Sequence, residues 1–395
     1  MTVSHELCDR ASKRRIYLDH HATTPVDPRV AAVVLDAMTT TFGNANSVDH
    51  VFGEEAASLV GQARREVGAL VGAAAEDVYF TSGASESIRL AVRHATASRA
   101  SRSTPCRIVA SKVEHRAVLD TLRESEASGA AHVEFIAVDE RAQLQLEALT
   151  AACARGVDLI CVMAANNEVG TVYPIAEVAR IAAEHGAATL IDATQAAGRV
   201  PLQTTELGIS YLALSAHKMY GPKGVGALVT PQRGVRASHS PTPGVGDGTP
   251  NVPGIAGFGA ACRLRRAEMG VDEPRIAALR DSLERRLCDA IPGLRVNGDC
   301  ENRLSHNLHV SVPGVPNDAV VARLRRTVAI STGAACMSGA QAPSHVLEAI
   351  GLPPALQEGA LRIGLGRSTT DADVEFAAEQ IVQAIRATRA AMERR

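Results

Sequence analysis

A chain of 395 residues, 46% apolar and 21% charged, has material for a sizeable core and the length of two domains. Its formal net charge of −2 excludes a global field that would favour nucleic acid or an anionic membrane, and no run reaches the roughly 18 apolar residues of a membrane span. The polar start MTVSHELCDRASKRR lacks the apolar core of a secretory signal, so a cytoplasmic protein is expected.

In chain order, EEAASLVGQARREVGALVG (54–72) predicts a helix with Ala56, Val60, Ala63, Val67 and Leu70 on one face. Short apolar runs with β character follow at 77–80, 107–110, 159–163, 188–191, 211–214 and 225–229. Continuous runs of this kind suit strands buried on both faces, as in a parallel sheet covered by helices. The segments between them are long enough for crossover helices, such as IAEVARIAAEHG (175–186). The segment 230–258, rich in Pro and Gly, reads as a long loop. From about 265 the pattern changes. A charged helix (DEPRIAALRDSLERRLCDAI) leads to strand-like NLHVSV, a second helix, LRIGLG and a last helix, which predicts a smaller α+β domain.

Polar groups follow the apolar runs: Thr81-Ser82-Gly83, then SKVEH ending at His115, AANNE, DATQ and SAHK. Open α/β sheets bind ligands beyond the carboxyl ends of their strands, so these residues are expected to share one crevice. Lys218 stands just past a strand end beside Ser215 and His217. A lysine held there can form a Schiff base with an aldehyde cofactor; in isolation it would read as a solvated surface lysine. Asp192 ends an apolar strand, and a buried carboxylate needs a cationic partner, such as the pyridinium of pyridoxal phosphate, or else serves as a helix cap. TSGASES (81–87) follows a strand and opens a helix, so the amides of Gly83, Ala84 and Ser85 suit a phosphate, or a plain cap. His115 could stack on a flat ring or be a structural histidine. Asn166, Asn167 and Glu168 offer polar groups to a ligand, or merely turn chemistry. Arg362 and Arg367 suit bidentate binding of a carboxylate.

The eight cysteines form no C-x-x-C pair, and no cysteine or histidine cluster has zinc spacing, so no metal site is expected. Most should be buried thiols. Cys336 differs, because STGAACMSG (331–339) surrounds it with small residues suited to a loop.

The motifs YLDHHATTPVDPRV (17–30), FTSGASES, EHRAVLDT, NNEVG, DATQAAGRVP, SAHKMYGPKGVGAL, GTPNVPG, STGAACMSG, PSHVLEAIGL and LRIGLGRSTT together resemble those of the pyridoxal-phosphate-dependent cysteine desulfurases. These form a NifS/IscS-like group in the class V aminotransferase family of fold type I. The resemblance covers about residues 16–380 and, around Cys336, is similar to the branch with a long catalytic loop. It implies an α/β fold, with a large domain (28–263) built on a mostly parallel seven-stranded sheet. A smaller α+β domain (1–27 and 264–395) would carry the cysteine loop.

The resemblance also implies roles. Lys218 would bind the cofactor covalently and move the substrate Cα proton. Asp192 would pair with the pyridine nitrogen, Gln195 with the phenolic oxygen, and His115 would stack on the ring. Ala84, Ser85, Ser215 and His217 would hold the phosphate, with Thr249 arriving from the partner of a homodimer. Asn167 and Arg367 would bind the carboxylate of L-cysteine, and Cys336 would attack its sulfur and pass it to a sulfur-acceptor protein. No direct nucleic acid or membrane partner is expected. Acceptors open at this point are iron–sulfur assembly, tRNA thiolation, cofactor biosynthesis and DNA phosphorothioation. Two departures stand out: Ser85 where relatives carry Thr, and a shortened segment before Thr249, with Gly246-Asp247 where Arg-Ser is expected. The altered segment points toward a dedicated pathway. A selenocysteine lyase, another enzyme of the same fold, or a sulfur-relay scaffold with reduced catalysis are the competing readings.

Overall fold

The computed structural model describes residues 14–97, 104–231, 248–332 and 344–394. The chain divides into two compact units. One takes Thr23–Asn167 and Thr171–Gly270; the other takes the residues up to Ala22, Glu168–Gly170 and those from Val271 on.

The first unit is built on a seven-stranded sheet in the order β2-β8-β7-β6-β5-β3-β4. Its strands are β2 (Val78–Thr81), β3 (Cys106–Ser111), β4 (Ala131–Ile136), β5 (Leu159–Met163), β6 (Ala188–Asp192), β7 (Tyr211–Ser215) and β8 (Gly226–Val229). β8 is antiparallel to both β2 and β7, and every other pairing is parallel. β2 therefore runs the same way as β7, and six strands point their carboxyl ends to one edge. Apolar residues alternate along them: Ile108, Ala110, Leu159, Cys161, Leu190, Tyr211, Ala213 and Leu228 share one face. On that face they meet Ile88, Ala91 and Val92 of helix α3 (Ala84–Ala97) and Val118 and Leu122 of α4 (Arg116–Ala127). Two helices precede the sheet, α1 (Pro28–Thr39) and α2 (Val51–Val71).

The strands at 78, 106, 159, 188, 211 and 226 stand within a residue of the apolar runs. The strand β4 was not foreseen. Its interior is half-exposed and its sequence AHVEFI mixes polar with apolar residues, as suits the edge of a sheet. Helix α2 begins three residues earlier than its periodicity indicated, because His50 caps it, Nδ1 accepting from Gly53 N at 3.2 Å.

After α5 (Leu146–Ala154) and α6 (Ile175–Glu184), the next helix is α7, 39 residues from Val252 to Ala290. It corrects two readings. The stretch VPGIAGFG is helical rather than loop, with Asn251 Oδ1 accepting from Gly254 N at 3.1 Å at its start. The charged helix is the second half of the same element. Gly257 and Gly259 are there for packing: a Cβ on Gly259 would lie 2.6 Å from Ala63 Cα of α2. Pro274 cannot donate to the Gly270 carbonyl, and that missing bond falls where the helix passes from one unit to the other.

The second unit holds an antiparallel sheet, β12-β10-β9, and a parallel pair, β1 with β11. The strands are β1 (Ile16–Tyr17), β9 (Arg295–Val296), β10 (Asn307–Ser311), β11 (Val328–Ala329) and β12 (Ala360–Gly364). Ile276, Leu279, Leu283 and Leu287 of α7 recur at helical spacing and pack with Leu308, Val310, Leu361 and Ile363. The final helix α11 (Asp371–Met392), after α8 (Asn317–Leu324), α9 (His345–Ala349) and α10 (Pro354–Gln357), adds Val374, Ile381 and Ile385 to this core. Among the described residues no helix is long and apolar enough to cross a membrane.

Candidate active site

The parallel strands deliver their polar ends to one edge of the sheet. Ser215 ends β7, Asp192 ends β6, Met163 ends β5 and Thr81 ends β2. Neighbouring strands lie about 4.8 Å apart, which brings these ends into one row.

Lys218 ends a short turn, Ala216–Lys218, directly after β7. Thr24, fully buried, holds this turn from a distant part of the chain. Its N and Oγ1 both donate to His217 O, at 2.9 and 3.0 Å, and its Oγ1 accepts from Tyr220 N at 2.8 Å. Tyr220 has φ +65°, a left-handed conformation unusual for a bulky residue, which these bonds sustain. The Arg199 guanidinium donates to Lys218 O at 3.5 Å and lies over the Tyr220 ring. The lysine backbone is therefore fixed on both sides. Thr24 and Arg199 were missed as functional residues. The first lies in HHATTP and the second in DATQAAGR, and nothing local in either stretch says what it will touch.

His217 is half-buried, and Thr23 Oγ1 sits 3.1 Å from its Nδ1. Burial, with Lys218 and Lys223 nearby, pushes the imidazole down to about 4, so it is neutral at physiological pH. Ser215 is buried and its Oγ faces Gly83: a Cβ built on Gly83 would lie 3.9 Å from it, with nothing nearer. At that turn Thr81 Oγ1 accepts from Gly83 N, and Glu86 takes Ser82 N at 2.6 Å. The amides of Ala84 and Ser85, which open the 14-residue helix α3, donate to nothing among the described residues. Gly226 permits this turn, since a Cβ there would meet Gly83 Cα at 2.7 Å and Leu214 O at 2.4 Å.

Asp192 is 6% exposed. Its Oδ1 accepts from Thr194 N at 3.0 Å and from Thr194 Oγ1 at 2.5 Å, while its Oδ2 accepts nothing among the described residues. Gln195 is buried three residues on. His115 is the N-cap of α4, its Nδ1 accepting from Ala117 N at 3.1 Å, which leaves the proton on Nε2. Asn166 is fully buried, with its Nδ2 on Val113 O at 3.2 Å, whereas Asn167 is half-buried. Of the two asparagines the first thus builds the turn. Thr249 is exposed.

In the second unit Arg367 pairs through Nε with Asp272 Oδ2 at 3.0 Å. Arg275 donates to Arg367 O at 2.6 Å and Thr369 O at 3.0 Å, pinning the turn that carries it. Arg362 pairs instead with Asp19 at 3.2 Å, and its backbone bridges Ser331. Cys336 and Gly246-Asp247 lie outside the described residues. Eight residues after Cys336, Ser344 Oγ donates to Glu168 Oε2 at 2.5 Å and accepts from Leu347 N.

The donor set fits pyridoxal phosphate. A buried carboxylate with a spare oxygen suits a pyridinium. Unspent amides at a helix start, beside a hydroxyl and a neutral imidazole, suit a phosphate dianion. Lys218 follows β7 on a turn whose backbone is held in place. No group of three or more His, Cys, Asp or Glu among the described residues could hold a metal ion.

Comparison with known proteins agrees. The family model described as aminotransferase class-V matches residues 16–376. The cysteine desulfurase IscS of Anaeromyxobacter dehalogenans is 40% identical over 380 residues, covering 95% of this chain and 93% of the relative. Among solved structures, a NifS-like protein superimposes with TM-score 0.83 at 30% identity, over 93% of this chain and 98% of its own. Another, described as SspA in complex with cysteine, gives TM-score 0.77 at 29% identity, over 90% and 100% respectively. The chain therefore belongs to the class V aminotransferase family, in its NifS/IscS-like group of pyridoxal-phosphate-dependent cysteine desulfurases.

Proposed function

We propose that the protein is a cysteine desulfurase that takes sulfur from L-cysteine, leaves L-alanine, and carries the sulfur as a persulfide on Cys336 to an acceptor protein. The observations that carry this reading are the fixed backbone turn of Lys218 after β7 and the spare oxygen of Asp192 at the end of the neighbouring β6, on a chain 40% identical to a desulfurase over most of its length. SspA, a relative described in complex with cysteine, supports L-cysteine as substrate.

Bound pyridoxal phosphate supplies an electron sink for charge developing on the substrate Cα. Asp192 Oδ2 keeps the ring nitrogen protonated and Gln195 donates to the phenolic oxygen. The amides of Ala84 and Ser85, with Ser215 and His217, take the phosphate. His217 does so as a neutral donor. His115 packs on the ring. Asn167 and Arg367 orient the substrate carboxylate, and the Asp272 pair holds the Arg367 guanidinium. Lys218 Nζ removes the proton from Cα; as the C–S bond breaks, Cβ and then Cα are protonated, the second proton being the one the substrate thiol gives up. The Cys336 thiolate takes the departing sulfur: one S–S bond forms, one C–S bond is lost, and the electron pair of the latter leaves with alanine.

A homodimer completes the site in this reading. Leu35, Met38, Phe42, Val48, Val51 and Phe52 are 48–81% exposed along one stretch of the first unit, with the Phe42 and Phe52 rings 5.7 Å apart. A cluster of this kind supports a buried subunit interface, and exposed Thr249 suits donation to the partner's phosphate site. The acceptor serves iron–sulfur assembly, tRNA thiolation or DNA phosphorothioation, and the protein works in the cytoplasm.

The test is reconstitution with pyridoxal phosphate and L-cysteine. Wild type should show the visible absorbance of a lysine-bound cofactor, release alanine, and gain one sulfur on Cys336 by mass spectrometry. Cys336→Ser should keep the absorbance and gain none; Lys218→Ala should lose both. Alanine released at an undiminished rate by Cys336→Ser would overturn the proposal.

A further inference from the structure

Arg265 is the largest fully buried side chain among the described residues, 1% exposed, and has no part in the chemistry above. It lies on α7, in the portion that belongs to the same unit as Lys218. Taking a guanidinium out of water is costly, so the groups it holds point to its task. Its Nε and Nη2 both donate to Gly198 O, at 2.9 and 2.7 Å. Gly198, at φ +70°, leaves room for this approach: a Cβ there would lie 2.9 Å from Arg265 Cβ. The next residue is Arg199, whose guanidinium reaches Lys218 O. Both guanidinium groups lie over one ring, that of Tyr220, at 5.7 Å from its centroid for Arg265 and 6.0 Å for Arg199.

Tyr220 is the strained point of the lysine turn. Its N donates to Thr24 Oγ1 at 2.8 Å and its O accepts from Asp27 N at 3.0 Å, so the backbone is held on both sides of the left-handed φ. The ring is what the two arginines hold. Helix α7 backs the same turn twice more. Cys262 Sγ lies 3.9 Å from Met219 Sδ, and a Cβ on Gly257 would come within 3.1 Å of Pro222 Cγ. Arg265 joins the two arms of this clamp, the DATQAAGR stretch and the turn itself. We propose that Arg265 is a positioning residue for Lys218: through Gly198 and the Tyr220 ring it fixes the turn from which the amine reaches the substrate Cα. The inference rests on the reading of Lys218 as the group that moves the Cα proton.

The test compares reconstituted wild type with Arg265→Met, which keeps the apolar stem, and Arg265→Lys, which keeps a donor for Gly198 O. Turnover is expressed per lysine-bound cofactor. The Met variant should then lose kcat about ten- to a hundredfold with KM for L-cysteine unchanged, the loss expected when a catalytic group is displaced by about 1 Å. The Lys variant should recover part of that loss. A purely structural arginine would instead lower the amount of lysine-bound cofactor and leave the turnover of the remainder untouched. Tyr220→Leu removes the ring but not the guanidinium, which keeps the idea testable if the Met variant folds poorly; it should show the same loss of kcat. A second readout needs no turnover. The rate at which apoprotein gains the visible absorbance on adding pyridoxal phosphate should fall about tenfold in the Met variant. Wild-type turnover per bound cofactor in either variant, a Lys variant no better than Met, or an unchanged rate of absorbance gain would overturn the proposal. Wild type that gains the absorbance but releases no alanine would instead sink the functional reading, with the second readout still deciding on Arg265.

Discussion

Asp192 and His309 show how burial assigns different tasks to two ionisable groups. Asp192 keeps one oxygen for a ligand. His309 lies in the core of the second unit, opposite Arg362 across β10 and β12, with Asn297 Nδ2 at 3.0 Å from its Nδ1. Its Nε2 has no partner among the described residues. Burial and the Arg362 charge push it down to about 3. The sign follows: the unfolded chain binds a proton near pH 6.5 and the folded chain does not. Stability is present above that value and is lost as pH falls toward the folded one. Between pH 6.5 and 5 the wild type should lose about 2 kcal/mol more than His309→Gln. Denaturant titrations of the two proteins at both pH values test this, and equal losses would refute it.

The elements work through their ends. The first unit's sheet places Ser215, Asp192 and the turn after Thr81 in one row because six of its strands are mutually parallel. The reversed β8 serves the site indirectly. Gly226 lets the phosphate turn approach β8, and a methyl group there would sit 2.7 Å from Gly83 Cα. Gly226→Ala is expected to cost about 1–3 kcal/mol of stability through overpacking and to weaken cofactor retention. Thermal unfolding with and without pyridoxal phosphate separates the two effects, and the stabilisation by cofactor should shrink in the variant.

For the molecule as a whole, the exposed apolar run from Leu35 to Phe52 is the feature a lone subunit explains least. A dimer would bury it. Phe42→Asp, which sets a charge among Phe52 and its neighbours, should weaken self-association by about tenfold or more. Sedimentation over a concentration series reads this directly; a wild type that stays monomeric throughout would dismiss the interface.

Much of this was legible in the amino-acid order, because it depends on local pattern. Alternating apolar runs and crossover helices specify an α/β sheet, and a strand followed by Gly-Ala-Ser specifies a helix start with amides to spare. The motifs from YLDHHATTP to LRIGLGRSTT named the family. Local pattern failed where packing overrides composition. Val252–Gly259 reads as loop by its Pro and Gly, yet is helical, with Gly259 letting α7 lie against Ala63 of α2 and Gly257 letting it approach Val34 of α1. The edge strand β4 lacked an apolar run because an edge does not demand one. The long-range partners were beyond any sequence rule: Thr24 clamping His217 and Tyr220, Asp272 holding Arg367, and Arg265 donating to Gly198 O. Residue types and their order sufficed to state which chemistry is available. Which groups are fixed, neutral or left with a spare oxygen follows from burial and distance, and those exist once the chain has closed on itself.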